Sequence, residues 1–451
     1  MRYAMKRRTV GMSLVGALAC SLMTVSAPVA SKDLSVIVLD SIPGSGAAAR
    51  AVDRVGGRRG VDLPLIGGIA AHVSSSEVPV LARLVGVRGV MADPMFRLNG
   101  SVPSTPSTIF TQAVDAPKAW AKGYCGKVGV NVGILDSGIA PHDDLAKTSN
   151  RIVGWTDLVG GSATPVDPYG HGTYLAGVVA GNGTASAGKW KGIAPCAGVV
   201  GIRVFDALGL APASRVIQGI QWAITNKTTY SIKVLNMSFS SVATLSYKLD
   251  AVAYAAEQAW KAGIVVVASA GNLGPLPGTI QSPGFDPYVI TVGAIDDVGT
   301  VSRTDDRVTD FSGHGPTLID LLSKPDLAAP GVWDTALRAP GSTIDVAHPA
   351  SIVDTSYFQG SGTSPATAVV SGVVALMLQR RATLKPDQVK YVLTHTTTAG
   401  PGTDAMTIGA GTVNAYNATM STLTSSANVL LVSSVGGALP LSIGLTDVKW
   451  R

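Results

Sequence analysis

The chain has 451 residues, of which 46% are hydrophobic and only 14% charged, with 52 glycines. That composition suits a large buried core with many tight turns and excludes a disordered chain. The formal charge of +6 is modest for the length, and no long Lys/Arg run follows Lys6-Arg7-Arg8, so no nucleic-acid partner is expected.

Residues 1–30 read as an export signal. Arg2, Lys6, Arg7 and Arg8 precede an apolar run from Val10 to Val25, which ends in small residues around Ala27 and Ala30. The protein is therefore expected to be secreted. Ala17-Leu18-Ala19-Cys20 is similar to a lipoprotein cleavage box with Ala17 in place of the usual Leu, which makes a lipid anchor at Cys20 the alternative. No later stretch is long and apolar enough to span a membrane. Beyond the signal only Cys125 and Cys196 remain. In an oxidising compartment such a pair is a disulfide candidate, and its spacing is not that of metal ligands.

Residues 31–100 read as a small α+β unit. Ser35–Leu39, Ile66–Val73 and Val87–Met91 have strand character, and Ser74-Ser75-Ser76-Glu77 starts a helix that runs to about Leu84. The stretch from Gly44 to Gly60 reads as a loop. Residues 101–113, rich in Pro, Ser and Thr from Pro103 to Thr111, read as a linker. From 114 to 420 the character changes. Val128–Asp136, Val199–Val204, Ile232–Ser238, Ile264–Ala270 and Tyr288–Ile295 read as buried strands. Ser214–Asn226, Tyr247–Ala262, Ala366–Leu378 and Pro386–Thr396 read as helices. This alternation is that of an α/β fold, a doubly wound, mostly parallel sheet covered on both faces. Chemistry in such sheets gathers at the carboxyl ends of the strands. Residues 421–451 form an apolar, Ser-rich tail to which no role is assigned.

Four polar residues sit in glycine-bounded settings. Asp136 ends a strand in Ile134-Leu135-Asp136-Ser137-Gly138. His171 leads into a helix from Tyr169-Gly170-His171-Gly172-Thr173. Asn272 follows a strand in Ser269-Ala270-Gly271-Asn272. Ser364 opens a helix from Gly360-Ser361-Gly362-Thr363-Ser364-Pro365. Singly they read as a turn Asp, a structural His, a left-handed-turn Asn and a helix-capping Ser. Together they read differently. A serine is a weak nucleophile until a histidine takes its proton, and the histidine works best when an aspartate fixes its tautomer. An Asn amide can stabilise the oxyanion that results.

In these segments the chain resembles the subtilisin-like serine protease family. Val234-Leu235-Asn236-Met237-Ser238 and Lys324-Pro325-Asp326-Leu327-Ala328-Ala329-Pro330-Gly331 also match, and the resemblance covers Val114 to Ala418. It implies a subtilisin-like fold and endopeptidase cleavage of peptide or protein substrates through an acyl-enzyme. Ser364 would be the nucleophile, His171 the base, Asp136 its orienting group, and Asn272 with the Ser364 backbone N–H the oxyanion hole. Ser238, Phe239, Ser240, Ser269, Ala270 and Gly271 would line the substrate cleft. Residues 31–100 resemble the family's propeptide, a ferredoxin-like domain that inhibits its own enzyme until the zymogen is processed. The family fold also sets the strands after Cys125 and Cys196 side by side, which implies a disulfide. The chemistry needs no cofactor, but the resemblance implies a structural calcium at Asp144, in Pro141-His142-Asp143-Asp144-Leu145.

The chain departs from the family in several places. Pro365 stands where Met usually follows the nucleophile, Tyr174 where a second His is usual, and Ala368 where Pro is usual. Ser312-Gly313-His314-Gly315-Pro316 replaces the commoner Ser-Ser-Arg-Gly-Pro. Ser240 ends a segment that normally ends in Gly, which narrows the main specificity pocket, and Gln281, before Ser282-Pro283-Gly284, is expected at its floor. A preference for apolar or aromatic side chains is the family default. A narrow-specificity processing protease is the alternative. A non-catalytic binding module on the same fold would have lost a triad or oxyanion residue, and none is lost.

Overall fold

The computed structural model describes residues 33–98, 109–402 and 404–428. The export signal, Cys20, most of the linker and the tail beyond Asn428 lie outside the described residues.

The N-terminal unit consists of β1 (Asp33–Asp40), a helix (Ala47–Arg54), β2 (Arg58–Leu63), β3 (Gly68–Ser74), a short helix (Val78–Leu81) and β4 (Val87–Ala92). The strands form an antiparallel sheet in the order β2-β3-β1-β4. The loop expected from Gly44 to Gly60 is corrected here to a helix followed by a strand. Ala47-Ala48-Ala49-Arg50-Ala51-Val52 is rich in the best helix former. Ala48, Ala51 and Val52 fall on one helical face, which buries against Val36, Val38 and Val73. The strand escaped notice because β2 is an edge strand, exposed everywhere except Leu63, and so lacks an apolar run.

After β5 (Met95–Leu98) the chain enters the main body. Its strands are β6 (Asn131–Asp136), β7 (Ile152–Asp157), β8 (Val199–Arg203), β9 (Leu210–Pro212), β10 (Ile232–Met237), β11 (Phe239–Ser240), β12 (Val265–Ser269), β13 (Ile290–Asp296), β14 (Arg307–Val308), β15 (Leu327–Pro330), β16 (Asp334–Leu337) and β17 (Tyr357–Gly360). Eight of them form one sheet in the order β14-β13-β12-β10-β6-β8-β7, with β15 also paired to β13. Only β14 runs antiparallel. β6, β8 and β12 are buried at every residue, as strands covered on both faces must be. The chain order reverses around β6, which has β8 on one side and β10 on the other. That switch point opens a crevice at the carboxyl end of β6, where Asp136 lies. Helices Ala213–Asn226 and Ala251–Lys261 pack together, as do His171–Ala180 and Thr363–Arg380. The last is buried continuously from Thr363 to Leu378, so it reads as apolar all round. Among the described residues no helix is long and apolar enough to cross a membrane.

Cys125 and Cys196 form a disulfide, with Cα atoms 5.3 Å apart. They precede β6 and β8, which pair in parallel from Val132 opposite Val199.

The N-terminal unit docks on the main body through strand pairing, ring packing and a helix cap. β5 is the middle strand of a small sheet, antiparallel to both β11 and β9, with Leu98 opposite Phe239 and Met95 opposite Pro212. Phe96 is fully buried and meets the Phe239 ring edge-on, with centroids 5.7 Å apart. The Asp93 carboxylate accepts hydrogen bonds from the Ser214 N–H at 2.8 Å and its hydroxyl at 2.7 Å. It thereby caps helix Ala213–Asn226, whose own N-cap residue, Pro212, makes no side-chain cap.

Candidate active site

Asp136 is fully buried at the end of β6, where an unpaired carboxylate would be costly. Its oxygens accept from the Ser137 N–H at 2.7 Å and lie 2.9 and 3.0 Å from His171 Nδ1. A carboxylate can only accept, so Nδ1 carries the proton and Nε2 the lone pair. Nε2 is buried and has no hydrogen-bond partner among the described residues.

His171 opens helix His171–Ala180, and that helix start is anchored by Asp167, a residue the sequence reading missed. Its carboxylate accepts from Gly170 N at 2.7 Å, Thr173 N at 2.7 Å, Thr173 Oγ1 at 2.6 Å and Ser137 Oγ at 2.8 Å. Burial pushes the Asp167 carboxyl up, and these donors oppose that shift. The available signal was an acceptor shortly before the helix, in Asp167-Pro168-Tyr169-Gly170-His171. Gly172 lets the helix approach β6, because a Cβ there would strike the Gly138 carbonyl. Tyr174 donates its hydroxyl to the carbonyls of Asp334 at 2.8 Å and Gly360 at 3.1 Å, tying this helix to β16 and β17.

Ser364 is the second residue of helix Thr363–Arg380. Gly362 is the N-cap, so the serine is not a cap. Pro365 stands third in the helix, within the turn whose N–H groups have no helical acceptor. The Ser364 hydroxyl donates to the Ser238 carbonyl at 2.9 Å, and the Ser238 hydroxyl donates to the Ser364 carbonyl at 3.0 Å. Asn236 Nδ2 donates to the Ser238 hydroxyl at 2.9 Å, and Asn236 Oδ1 accepts from Ser371 at 2.9 Å. The helix is thus stitched to the end of β10.

Asn272 is held by the same helix start. Its Oδ1 accepts from the Thr363 N–H at 3.0 Å and the Thr363 hydroxyl at 2.7 Å. A backbone N–H can only donate, so the amide orientation is fixed and Nδ2 is the opposite end. Nδ2 is buried and has no hydrogen-bond partner among the described residues. The site therefore pairs Asp136 with His171 directly and joins Asn272 to Ser364 through the neighbouring Thr363.

The expected cleft residues gather around Asn272. Ser269 donates to the Phe239 carbonyl at 3.0 Å. Ala270 is fully buried, and the Gly271 carbonyl accepts from Gly313 N at 2.8 Å. Gln281 Oε1 accepts from Asn272 N at 3.2 Å and from Ser240 Oγ at 3.0 Å. The Gln281 side chain fills the space that a Cβ on Gly271 would need. A cavity of about 340 Å³ is lined by Ser240, Asn272 and Gln281 on one side and by Met95 and Arg97 of β5 on the other.

Asp144 does not fit a calcium ion. Its carboxylate accepts from Gly183 N at 3.0 Å, Ala185 N at 2.7 Å and the Tyr357 hydroxyl at 2.8 Å. Hydrogen-bond donors converge on it, whereas calcium needs a cage of oxygen ligands. Among the described residues no group of three or more His, Cys, Asp or Glu side chains is placed to hold a metal.

Comparison with known proteins agrees with this geometry. Residues 127–421 match the model of the subtilase family. Over 295 residues the chain is 43% identical to serine protease AprX of Bacillus subtilis, covering 64% of this chain and 66% of that protein. It is 33% identical over 306 residues to subtilisin Savinase of Lederbergia lenta, covering 68% of this chain and 96% of that protein. Fervidolysin from Fervidobacterium pennivorans, a keratinolytic enzyme related to subtilisin, superposes with a TM-score of 0.66 at 23% identity, over 87% of this chain and 62% of its own. The last likeness concerns the fold alone. The chain belongs to the subtilase family of subtilisin-like serine proteases.

Proposed function

We propose that the protein is a secreted serine endopeptidase, made as a zymogen that processes itself. In this reading the Ser364 hydroxyl turns from the Ser238 carbonyl toward His171 Nε2, gives up its proton there and attacks the peptide carbonyl. His171 then protonates the leaving amine, while Asp136 holds its ring and balances its charge. Asn272 Nδ2 donates to the developing oxyanion. Water repeats the sequence to release the acyl group. No metal takes part in these steps.

The observation that carries this reading is the way the donor and the base are held. His171 is bonded to Asp136 and Asn272 to Thr363, while His171 Nε2 and Asn272 Nδ2 are buried and open. The β5 strand, which buries Phe96 and Leu98, supports an inhibitory role for residues 31–100. It pairs with β11, the strand directly after Ser238, as an extended peptide would.

The test is to express the whole chain and its Ser364→Ala variant. The wild type should mature by losing the N-terminal unit and should hydrolyse a mixed peptide library. The variant should remain uncut and lose at least about 1,000-fold in turnover. A variant that still matures when expressed alone, or that retains activity, refutes the proposal.

A further inference from the structure

The proposed mechanism leaves one buried polar group beside Asn272 unused, the carboxamide of Gln281. Gln281 is only 7% exposed. Its oxygen already accepts two hydrogen bonds, one from Asn272 N and one from Ser240 Oγ, which fills both lone pairs. The bond from a backbone N–H fixes the amide orientation. Its NH2 end is therefore the one left over, and it donates to none of the described residues. The side chain lines the cavity beside Asn272.

We propose that Gln281 determines side-chain preference, so that the site favours asparagine or glutamine on the acyl side of the cut bond over aromatic or aliphatic residues. This rests on the endopeptidase reading above. If Asn272 Nδ2 receives the oxygen of the attacked carbonyl, the side chain of that same residue lies next to Asn272. The cavity shared by Asn272, Gln281 and Ser240 is the space available to it. An apolar side chain there would strip water from the Gln281 NH2 and give it no acceptor, which a buried donor tolerates poorly. A carboxamide oxygen supplies that acceptor. Ser241 and Thr244, on the same wall, carry hydroxyls that can accept from the carboxamide NH2. A carboxylate is a poorer fit. The one charged side chain lining the cavity is Arg97. It belongs to the N-terminal unit and departs with it, which would leave the carboxylate desolvated without a counter-charge.

The test compares peptides that differ only at the acyl-side residue, Asn, Gln, Glu, Phe or Leu, using enzyme matured from the full chain. For the wild type, kcat/KM for Asn and Gln should exceed that for Phe and Leu by at least about tenfold, since a site built to hydrogen-bond a substrate group discriminates against analogues lacking it. Gln281→Leu should reverse the order. It also removes the acceptor for Asn272 N–H, so turnover should fall for every peptide, and the ratio within each enzyme is the decisive readout. Gln281→Met keeps the length of the side chain but offers a substrate carboxamide neither a donor nor a strong acceptor, so it too should erase the carboxamide preference; this variant decides the matter if Gln281→Leu does not fold. A wild-type preference for Phe or Leu, or a ratio that neither folded variant changes, overturns the proposal. Failure to cleave any peptide overturns the endopeptidase reading itself, and this inference with it.

Discussion

The cleft and the corner around Asp326 are both built from buried polar side chains, yet they are finished in opposite ways. In the corner both ammonium groups and the carboxylate between them find partners. Lys324 Nζ donates to Val289 O at 3.0 Å, Thr291 Oγ1 at 2.8 Å and Asp326 Oδ2 at 2.7 Å. Lys390 Nζ donates to Pro287 O at 2.7 Å and Val289 O at 3.0 Å, and lies 3.1 Å from Asp326 Oδ1. Burial pulls Lys324 down to about 7, against the attraction of Asp326. In the cleft each polar group is fastened at one end and open at the other, as His171, Asn272 and Gln281 show. A closed network serves the fold, and an open one awaits a ligand.

This contrast is sharpened most by breaking the corner. Asp326→Asn would leave two buried ammonium groups without their counter-charge. Removing one partner of a buried ion pair typically costs about 3–5 kcal/mol, because the other charge is stranded. Denaturant unfolding should show a loss of that order, while kcat of the folded fraction stays within about twofold. A loss below about 1 kcal/mol, or a collapse of kcat at unchanged stability, would make the corner part of the site and undo the contrast.

Asn272→Ala should behave in the reverse way. Removing one oxyanion donor typically lowers kcat about 100- to 1,000-fold. Nδ2 has no partner among the described residues to lose, and the loss is confined to the two bonds from Thr363. The melting temperature should therefore fall by only a few degrees. Peptide hydrolysis and calorimetry on one preparation check both halves. A large drop in melting temperature with a small drop in kcat would mean that Asn272 is structural.

The difference between closed and open networks also explains what could be read in advance. β6, β8, β10, β12 and β13 were legible because burial on both faces writes a continuous apolar run into the sequence. β2 and β7 were not, since exposed or half-buried edge strands carry no such run. Asp136, His171, Asn272 and Ser364 stood out because glycines flank them, each marking a backbone turn or close approach that leaves a local trace. Apart from Asp167, the groups that hold them left none. Thr363 grips Asn272 across 91 positions, and Asp93 caps the Ser214 helix across 121. Such partners are set by topology, which no spacing in the chain displays. Asp144 shows the converse. Its local segment matches a cation-binding pattern, while its hydrogen-bond partners are Gly183, Ala185 and, at the start of β17, Tyr357.

Asp306 is where the contrast can fail, because it is buried and open yet outside the cleft. It is 9% exposed, and its Oδ1 has no hydrogen-bond partner among the described residues. Burial, helped by the charges of Asp296, Asp297 and Asp305 and opposed by Arg303, raises its carboxyl to about 6. The open valence is expected to be filled by a proton, not by a ligand. An acid whose pKa is raised by folding is protonated in the folded state while the unfolded chain has already lost the proton, here between about pH 4 and 6. Its contribution to stability is thus fully present at pH 4, declines as pH rises to 6 and is absent above. Asp306→Asn mimics the protonated form at every pH. The two proteins should be equally stable near pH 4, and the variant should be more stable by about 1 kcal/mol above pH 6, after allowance for solvent screening. Paired unfolding curves at pH 4 and 7 measure this, with kcat unchanged. A variant less stable than the wild type at pH 7 would mean that the ionised Asp306 has a partner after all, and an open valence would then no longer distinguish the cleft from the rest of the fold.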